Sequence, residues 1–343
     1  MSKRTRLFVG VAVGIVVVGL GTGLVAAYKT GFQNLALFGA DGPAELAYIS
    51  KDARMVAYAD IRALMTSQVR QKLHPQDQGY KPVDERTGIN FERDVDHVVV
   101  SAITSDSTNA PPLVLARGRF DQVRIEGVVR QQGGTVDTYR GVRVFFEPEQ
   151  QFAVAFVEPD LVALGTVNDV HRAIDTKSSG DGVRNNPEVM RFVREIDSST
   201  AWAVARFDAS MFNGRIPGDI ARQLPAVKWI AVNGHVDDGV RGTLRAETRD
   251  DAAAKDLTEV VRGFMALARL QSGQNTGFAT VINSLQLSEH GSTVSLDFAV
   301  PSEAIDALPM MRKLPGQAGR PNAERHAVPP SVNAPRRPGT PGL

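Results

Sequence analysis

Two pairs of adjacent carboxylates, Asp237-Asp238 and Asp250-Asp251, are the side chains best suited by type and spacing to acid–base work. Neighbouring carboxyl groups can hold different protonation states, which such chemistry needs. Each pair also has a local explanation. Asp238-Gly239 suits a tight turn, and Asp250-Asp251 suits a helix N-terminus, whose dipole favours negative charge. Asp94-Val95-Asp96 imitates the Asp-x-Asp of metal-dependent sugar transferases. It precedes the apolar run from Val98 to Ile103, however, whereas carboxylates serving a strand-end metal follow their strand, so solvated strand-entry charges are the simpler reading. The histidines, His74, His97, His171, His235, His290 and His326, never fall at a metal-ligand spacing such as His-x-x-x-His. No Gly-x-Ser-x-Gly elbow, Walker loop, Ser-x-x-Lys or His-Glu-x-x-His occurs. There is no cysteine, which removes disulfides, a lipidated N-terminal cysteine, thiolate zinc sites and cysteine nucleophiles together. The expectation is of no enzyme, with no catalytic, cofactor-binding or metal-ligating residue assigned.

One repeated tripeptide suggests binding. Arg119-Phe120-Asp121 recurs as Arg206-Phe207-Asp208, each at a strand end, and the arginines Arg119 and Arg206 could contact an anion such as a lipid phosphate or a wall carboxylate. The plainer account buries the Phe, uses the Asp to cap the next helix and leaves the Arg solvated.

The elements that would position these residues begin with an address. Lys3, Arg4 and Arg6 precede a charge-free run from Leu7 to Tyr28 that includes Leu7, Phe8, Val9, Ile15, Val16, Val17, Val18, Leu20 and Leu24. At 1.5 Å per residue such a run crosses a hydrocarbon core of roughly 30 Å as one helix. The basic residues in front favour a cytoplasmic N-terminus with the rest across the inner membrane, in the periplasm. The competing reading is a secretory signal cut after Ala27, since Val25 and Ala27 are small enough for a peptidase.

Residues 1–6 are then a cytoplasmic basic segment, 7–28 a transmembrane helix and 29–44 a spacer. From Arg312 onward six basic residues and one acidic stand among Pro, Gly and Ala, so 312–343 reads as a disordered tail. Removing the basic ends leaves a mildly acidic body, which lacks the clustered positive charge that binding nucleic acid requires.

Within that body, apolar strands alternate with capped amphipathic helices. Met55 to Ala59 leads to Asp60 as a helix cap, and Asp121, Thr166, Asn186 and Asp250 stand at further helix starts. From Ala201 the order begins again, so the pattern predicts an α+β protein of two similar units, 45–199 and 200–311. Each would run β-α-β-β-α-β-β, with antiparallel sheets and helices on one face. On the long helix after Asp250, the spacing of Leu257, Val260, Val261, Phe264 and Ala268 marks the buried side.

The runs Gly118-Arg119-Phe120-Asp121, Tyr139-Arg140-Gly141 and Leu164-Gly165-Thr166 with Val170 and Ile174, then Asn186-Pro187 and Ala201-Trp202-Ala203, resemble a group of uncharacterised bacterial membrane-anchored proteins. The resemblance covers mostly the first half; it implies an envelope location and no activity.

Two functions fit these readings. One is a non-enzymatic single-pass envelope protein presenting a binding or scaffold domain, with the bilayer and an envelope protein or lipid as partners. The alternative is a carrier or sensor of lipid or another apolar ligand, with a pocket between sheet and helices lined by Phe146, Phe156, Phe264 and Phe298. Oligomeric state is left open.

Overall fold

Uninterrupted apolar runs such as Val98-Val99-Val100 and Leu161 to Leu164 put large side chains on both sides of a strand, so a sheet built from them must be covered twice. That is the architecture of the computed structural model, which describes residues 42–66, 89–102, 112–131, 133–147, 152–207, 227–236, 239–271 and 276–301. The strands are β1 (Met55–Asp60), β2 (Val95–Ala102), β3 (Leu113–Gly118), β4 (Thr135–Tyr139), β5 (Val142–Glu147), β6 (Phe152–Glu158), β7 (Leu161–Thr166), β8 (Ala201–Arg206), β9 (Val227–Val236), β10 (Gly239–Thr248), β11 (Gln286–His290) and β12 (Thr293–Pro301). All twelve form one sheet in the order β11-β12-β10-β9-β8-β1-β2-β3-β7-β6-β5-β4, and every pairing is antiparallel.

The expectation of two units is therefore overturned. β1 and β8, read as the opening strands of separate units, pair with each other from Met55 opposite Ala205 to Ala59 opposite Ala201. The backbone groups that would have formed two sheet edges are satisfied by one another. Strand β4 is an addition to the sequence reading, because Thr135–Tyr139 is largely exposed and lacks apolar alternation.

Helices on one face are overturned as well. On the first face, Val56, Tyr58, Val99, Leu115, Ala163, Trp202 and Val204 pack beneath α4 (Val167–Ser179) and α5 (Pro187–Ile196), joined by Leu46, Tyr48 and Ile49 from the turn at Ala44–Tyr48. On the second face, Ala57, Val98, Val100, Ala116, Val162 and Ala203 meet Ile61 of α1 (Ile61–Thr66), Ile89, and Ile125 of α3 (Gln122–Gln131). Farther along that second face, Ala254 and Leu257 of α6 (Asp251–Gln271) pack on Ala246, Leu287 and Val294. The remaining helices are α2 (Phe91–Asp94) and α7 (Thr276–Ser284).

The caps follow the sequence. Asp60 accepts from the Ala63 amide at 2.8 Å, Asp121 from Arg124 at 3.0 Å, Thr166 from Asp169 at 3.1 Å, Asn186 from Val189 at 3.2 Å and Asp250 from Ala253 at 2.9 Å. The buried side of α6 departs from its reading: Leu257 and Met265 are buried, while Phe264 is 47% exposed.

Among the described residues no helix is long and apolar enough to cross a membrane. The expected transmembrane helix, Leu7 to Tyr28, lies outside the described residues, as do the spacer up to residue 41 and the 312–343 tail.

One close approach fixes the end of β3. A Cβ on Gly118 would stand 1.9 Å from the Asp94 carbonyl oxygen, and that carbonyl accepts from the Arg119 amide at 2.7 Å. The obstacle is backbone and has no rotamer to yield, so Gly118→Ala should lower the unfolding free energy by about 1–3 kcal/mol in urea titrations. Gly127 on α3 has open space around it, and there alanine should add about 0.5–1 kcal/mol through helix propensity.

Candidate functional site

The densest group of charges lies at one end of the first face. The turn at Ala44–Tyr48 lays Glu45 over the sheet, leaving it 1% exposed. Arg117 of β3 meets it from below, opposite His97 of β2 in the strand register. The Arg117 guanidinium pairs through Nε with Glu45 Oε1, through Nη2 with Glu158 Oε2 at 2.8 Å and through Nη1 with Asp160 Oδ1 at 2.7 Å. His97 Nε2 lies 3.2 Å from the same Glu45 oxygen, and the Tyr48 hydroxyl donates to Glu158 Oε1 at 2.9 Å.

Burial by itself would raise the Glu45 pKa, but the hydrogen bonds from His97 and Arg117 outweigh it and hold the carboxyl down at about 2. Burial, followed by the bond to Glu158, pushes the Tyr48 hydroxyl well above its usual value. A base with a pKa near 2 accepts no proton usefully at neutral pH. The cluster therefore has the electrostatics of a latch that fastens the turn to the sheet. No spacing rule could have found it, because Glu45 and Glu158 lie 72 and 41 residues from Arg117 in the chain.

A serine–histidine contact was equally invisible in sequence. Ser199 Oγ accepts from Asn233 Nδ2 at 3.1 Å and lies 3.1 Å from His235 Nε2. Burial, and then the charge of Arg241, lowers the His235 pKa. Ser199 is only 2% exposed, so its hydroxyl is closed to a substrate and the contact ties the start of β8 to β9.

At the opposite end of the strands, an open cleft of about 250 Å³ is lined by Lys51, Arg54, Asn186, Glu188, Arg206 and Trp229, among others. Arg206 ends β8 and its amide donates to the Arg54 carbonyl at 2.7 Å, which sets both residues at the rim. The Arg206 guanidinium sits 5.6 Å from the centre of the Trp229 ring and 3.8 Å from Glu188, with its side chain 58% exposed. Trp229 is 4% exposed and packs against Phe192. Lys51 pairs with Asp181, both about half exposed, and its carbonyl accepts from Asn186. A rigid aromatic floor under an exposed guanidinium, with a lysine nearby, can hold a carboxylate or phosphate at its rim.

The residues singled out from sequence are dispersed. Arg119 is exposed just beyond β3, and because β3 and β8 run antiparallel, Arg119 and Arg206 stand at opposite ends of the strands and form no joint anion site. Phe120 packs edge-on against Phe156, while Asp121 caps α3. Phe146 lies with the first-face core and Phe156 with the second. Phe264 is exposed, and Phe298 is on the distant β12, so the four phenylalanines line no common pocket.

Asp94 pairs with Arg93 whereas Asp96 pairs with Arg62, which separates the Asp-x-Asp carboxylates. Asp237-Asp238, His74 and His326 lie outside the described residues, and His171 stacks on Tyr139 with ring centroids 3.8 Å apart. Among the described residues no group of three or more His, Asp or Glu is placed to hold a metal.

No family model matches this chain, and no curated protein matches it. Among solved structures it is similar to TP0453. Crystal form III gives a TM-score of 0.49 at 8% identity over 78% of this chain and 97% of that one. Form IV gives 0.43 at 10% identity over 77% and 95%. A likeness at this level is one of coarse outline and assigns no activity.

Proposed function

We propose that this chain is a non-enzymatic binding module of the cell envelope, and that the cleft at Arg206 and Trp229 takes the anionic group of an envelope component. The observation that carries the reading is the contrast between the two ends of the first face. At one end Glu45, Arg117, Glu158 and Asp160 are joined in one ion-pair network, and at the other a guanidinium, 58% exposed and 3.8 Å from Glu188, stands over a fixed indole in an open cleft. Binding surfaces commonly combine such an aromatic anchor with an arginine. The basic residues Lys3, Arg4 and Arg6 ahead of the charge-free run Leu7 to Tyr28 support delivery to the envelope, whether the run is retained or cut after Ala27.

The test is cross-linking and affinity capture of the full chain from native membranes, with proteins and lipids identified, beside the Arg206→Glu variant. The charge reversal should lower recovery of the partner by about 10-fold, corresponding to about 1.4 kcal/mol. Recovery of the unaltered chain alone, or equal capture by the variant, would overturn the proposal.

A further inference from the structure

The sheet ends on β11 at one side and β4 at the other, and each end strand turns a row of backbone groups outward. Which groups these are follows from the hairpin turns. His290 pairs with Thr293 across the two-residue loop Gly291-Ser292, and the pair that closes such a loop exchanges backbone hydrogen bonds. Bonded and non-bonded pairs alternate, so Gln286, Ser288 and His290 turn their amides and carbonyls to β12, whereas Leu287 and Glu289 turn theirs away. On β4, the closing pair Tyr139 and Val142 around Arg140-Gly141 leaves Val136 and Thr138 facing outward in the same way.

The two edges differ in what occupies those groups. Asp137 Oδ1 accepts from the Thr138 amide at 2.7 Å, so β4 caps one of its two outward donors and sets a carboxylate on its edge. Among the described residues β11 pairs with β12 alone, and no side chain caps the outward amides of Leu287 and Glu289. All of its residues except Leu287 are exposed.

We infer that β11 is the contact edge of a symmetric dimer, in which a second copy of this chain adds its own β11 antiparallel to the first with Ser288 opposite Ser288. In that register Leu287 of each copy exchanges hydrogen bonds with Glu289 of the other, and Gln286 stands opposite His290. Every outward group of the strand is then used, and no like charges face each other. A register centred on Glu289 would oppose two carboxylates, and one centred on Leu287 would set Glu289 opposite Leu285, outside the strand. A contact of β11 with β4 would repeat without closing, and the Asp137 cap opposes it. The β11 pairing closes at two copies. Its two-fold axis is normal to the sheet, so both copies turn the first face, and with it the Arg206 cleft, to the same side. Two clefts on one body would bind a repeating envelope component with avidity, although the dimer itself does not depend on what the cleft binds.

Because the chain has no cysteine, a single introduced one reports the contact directly. Opposed non-hydrogen-bonded residues of antiparallel strands have Cα atoms about 4.5 Å apart, within reach of a disulfide. The full chain carrying Ser288→Cys, held in detergent micelles under mild oxidation, should link into pairs about tenfold faster than the chain carrying Val136→Cys on the exposed β4 edge. Glu289→Pro removes an outward amide and none of the bonds to β12, so combined with Ser288→Cys it should abolish linking and leave the urea midpoint in place. Light scattering should give two copies for the unaltered chain and one for Glu289→Pro. Equal linking at 288 and 136 would refute the contact, as would a single-copy mass for the unaltered chain. Linking that persists in a folded Glu289→Pro variant would refute the register. Partner capture through Arg206 is read separately and is unaffected by either result.

Discussion

Arg117→Met is expected to lower the unfolding free energy by about 3 kcal/mol, at the modest end of what removing one partner of a buried ion pair costs because Arg117 retains some exposure. The variant keeps the aliphatic volume and removes the charge, so the loss measures what Glu45 suffers when left buried. Glu158 and Asp160 are partly exposed and regain water, whereas Glu45 cannot. The pH dependence separates this from a packing defect. Glu45 has its folded pKa lowered from 4.5 to about 2, so the stability it contributes is present above pH 4.5 and is lost as the pH falls through about 2. The lowering corresponds to about 3 kcal/mol. The difference between the two proteins should therefore be full at pH 7 and shrink steadily below pH 4.5, read as urea midpoints at each pH. A difference that stays constant down to pH 2 would mean that Arg117 acts through packing alone.

The order of elements was legible in the chain because the cues are local. Asp60, Asp121, Thr166, Asn186 and Asp250 each cap the helix that their spacing announces, and β9 and β10 pair on either side of the Asp238-Gly239 dipeptide suited to a tight turn. What binds distant segments was not legible. The pairing of β1 with β8 joins residues about 145 positions apart, and nothing in either strand distinguishes an edge from a centre. The triple valine of β2 and the run Leu161 to Leu164 did carry the sign of a sheet covered on both faces, which a search for alternation passes over. Phe264 shows the same limit on a helix. Its spacing from Leu257 and Val261 suits the buried side, yet the next residue, Met265, is the one buried, and the aromatic ring is left 47% exposed. For the candidate site, the arginine of the repeated tripeptide was visible, but the indole beneath Arg206 comes from β9 and could be assigned only once the strands were paired.

Trp202→Ala is expected to cost about 3–5 kcal/mol, as deletion of a wholly buried indole does when its surroundings cannot collapse. Trp202 stands opposite Tyr58 across the β1–β8 junction, with the rings stacked at 5.9 Å, so the cavity opens where the two halves of the sheet meet. Its Nε1 has no hydrogen-bond partner among the described residues, so Trp202→Phe forfeits volume and no hydrogen bond and should cost only about 1–2 kcal/mol. The shape of the transition matters as much as its midpoint. The first-face core contains Val56, Val99 and Leu161 from one side of the junction and Val204, Trp229 and Ala231 from the other. A sheet with such a shared core has no internal boundary at which to separate. Far-ultraviolet circular dichroism and the fluorescence of the remaining Trp229 should therefore move together in Trp202→Ala, shifted as one transition. Two resolved transitions would show that the halves fold independently, and the single sheet would then be a docked pair rather than one cooperative structure.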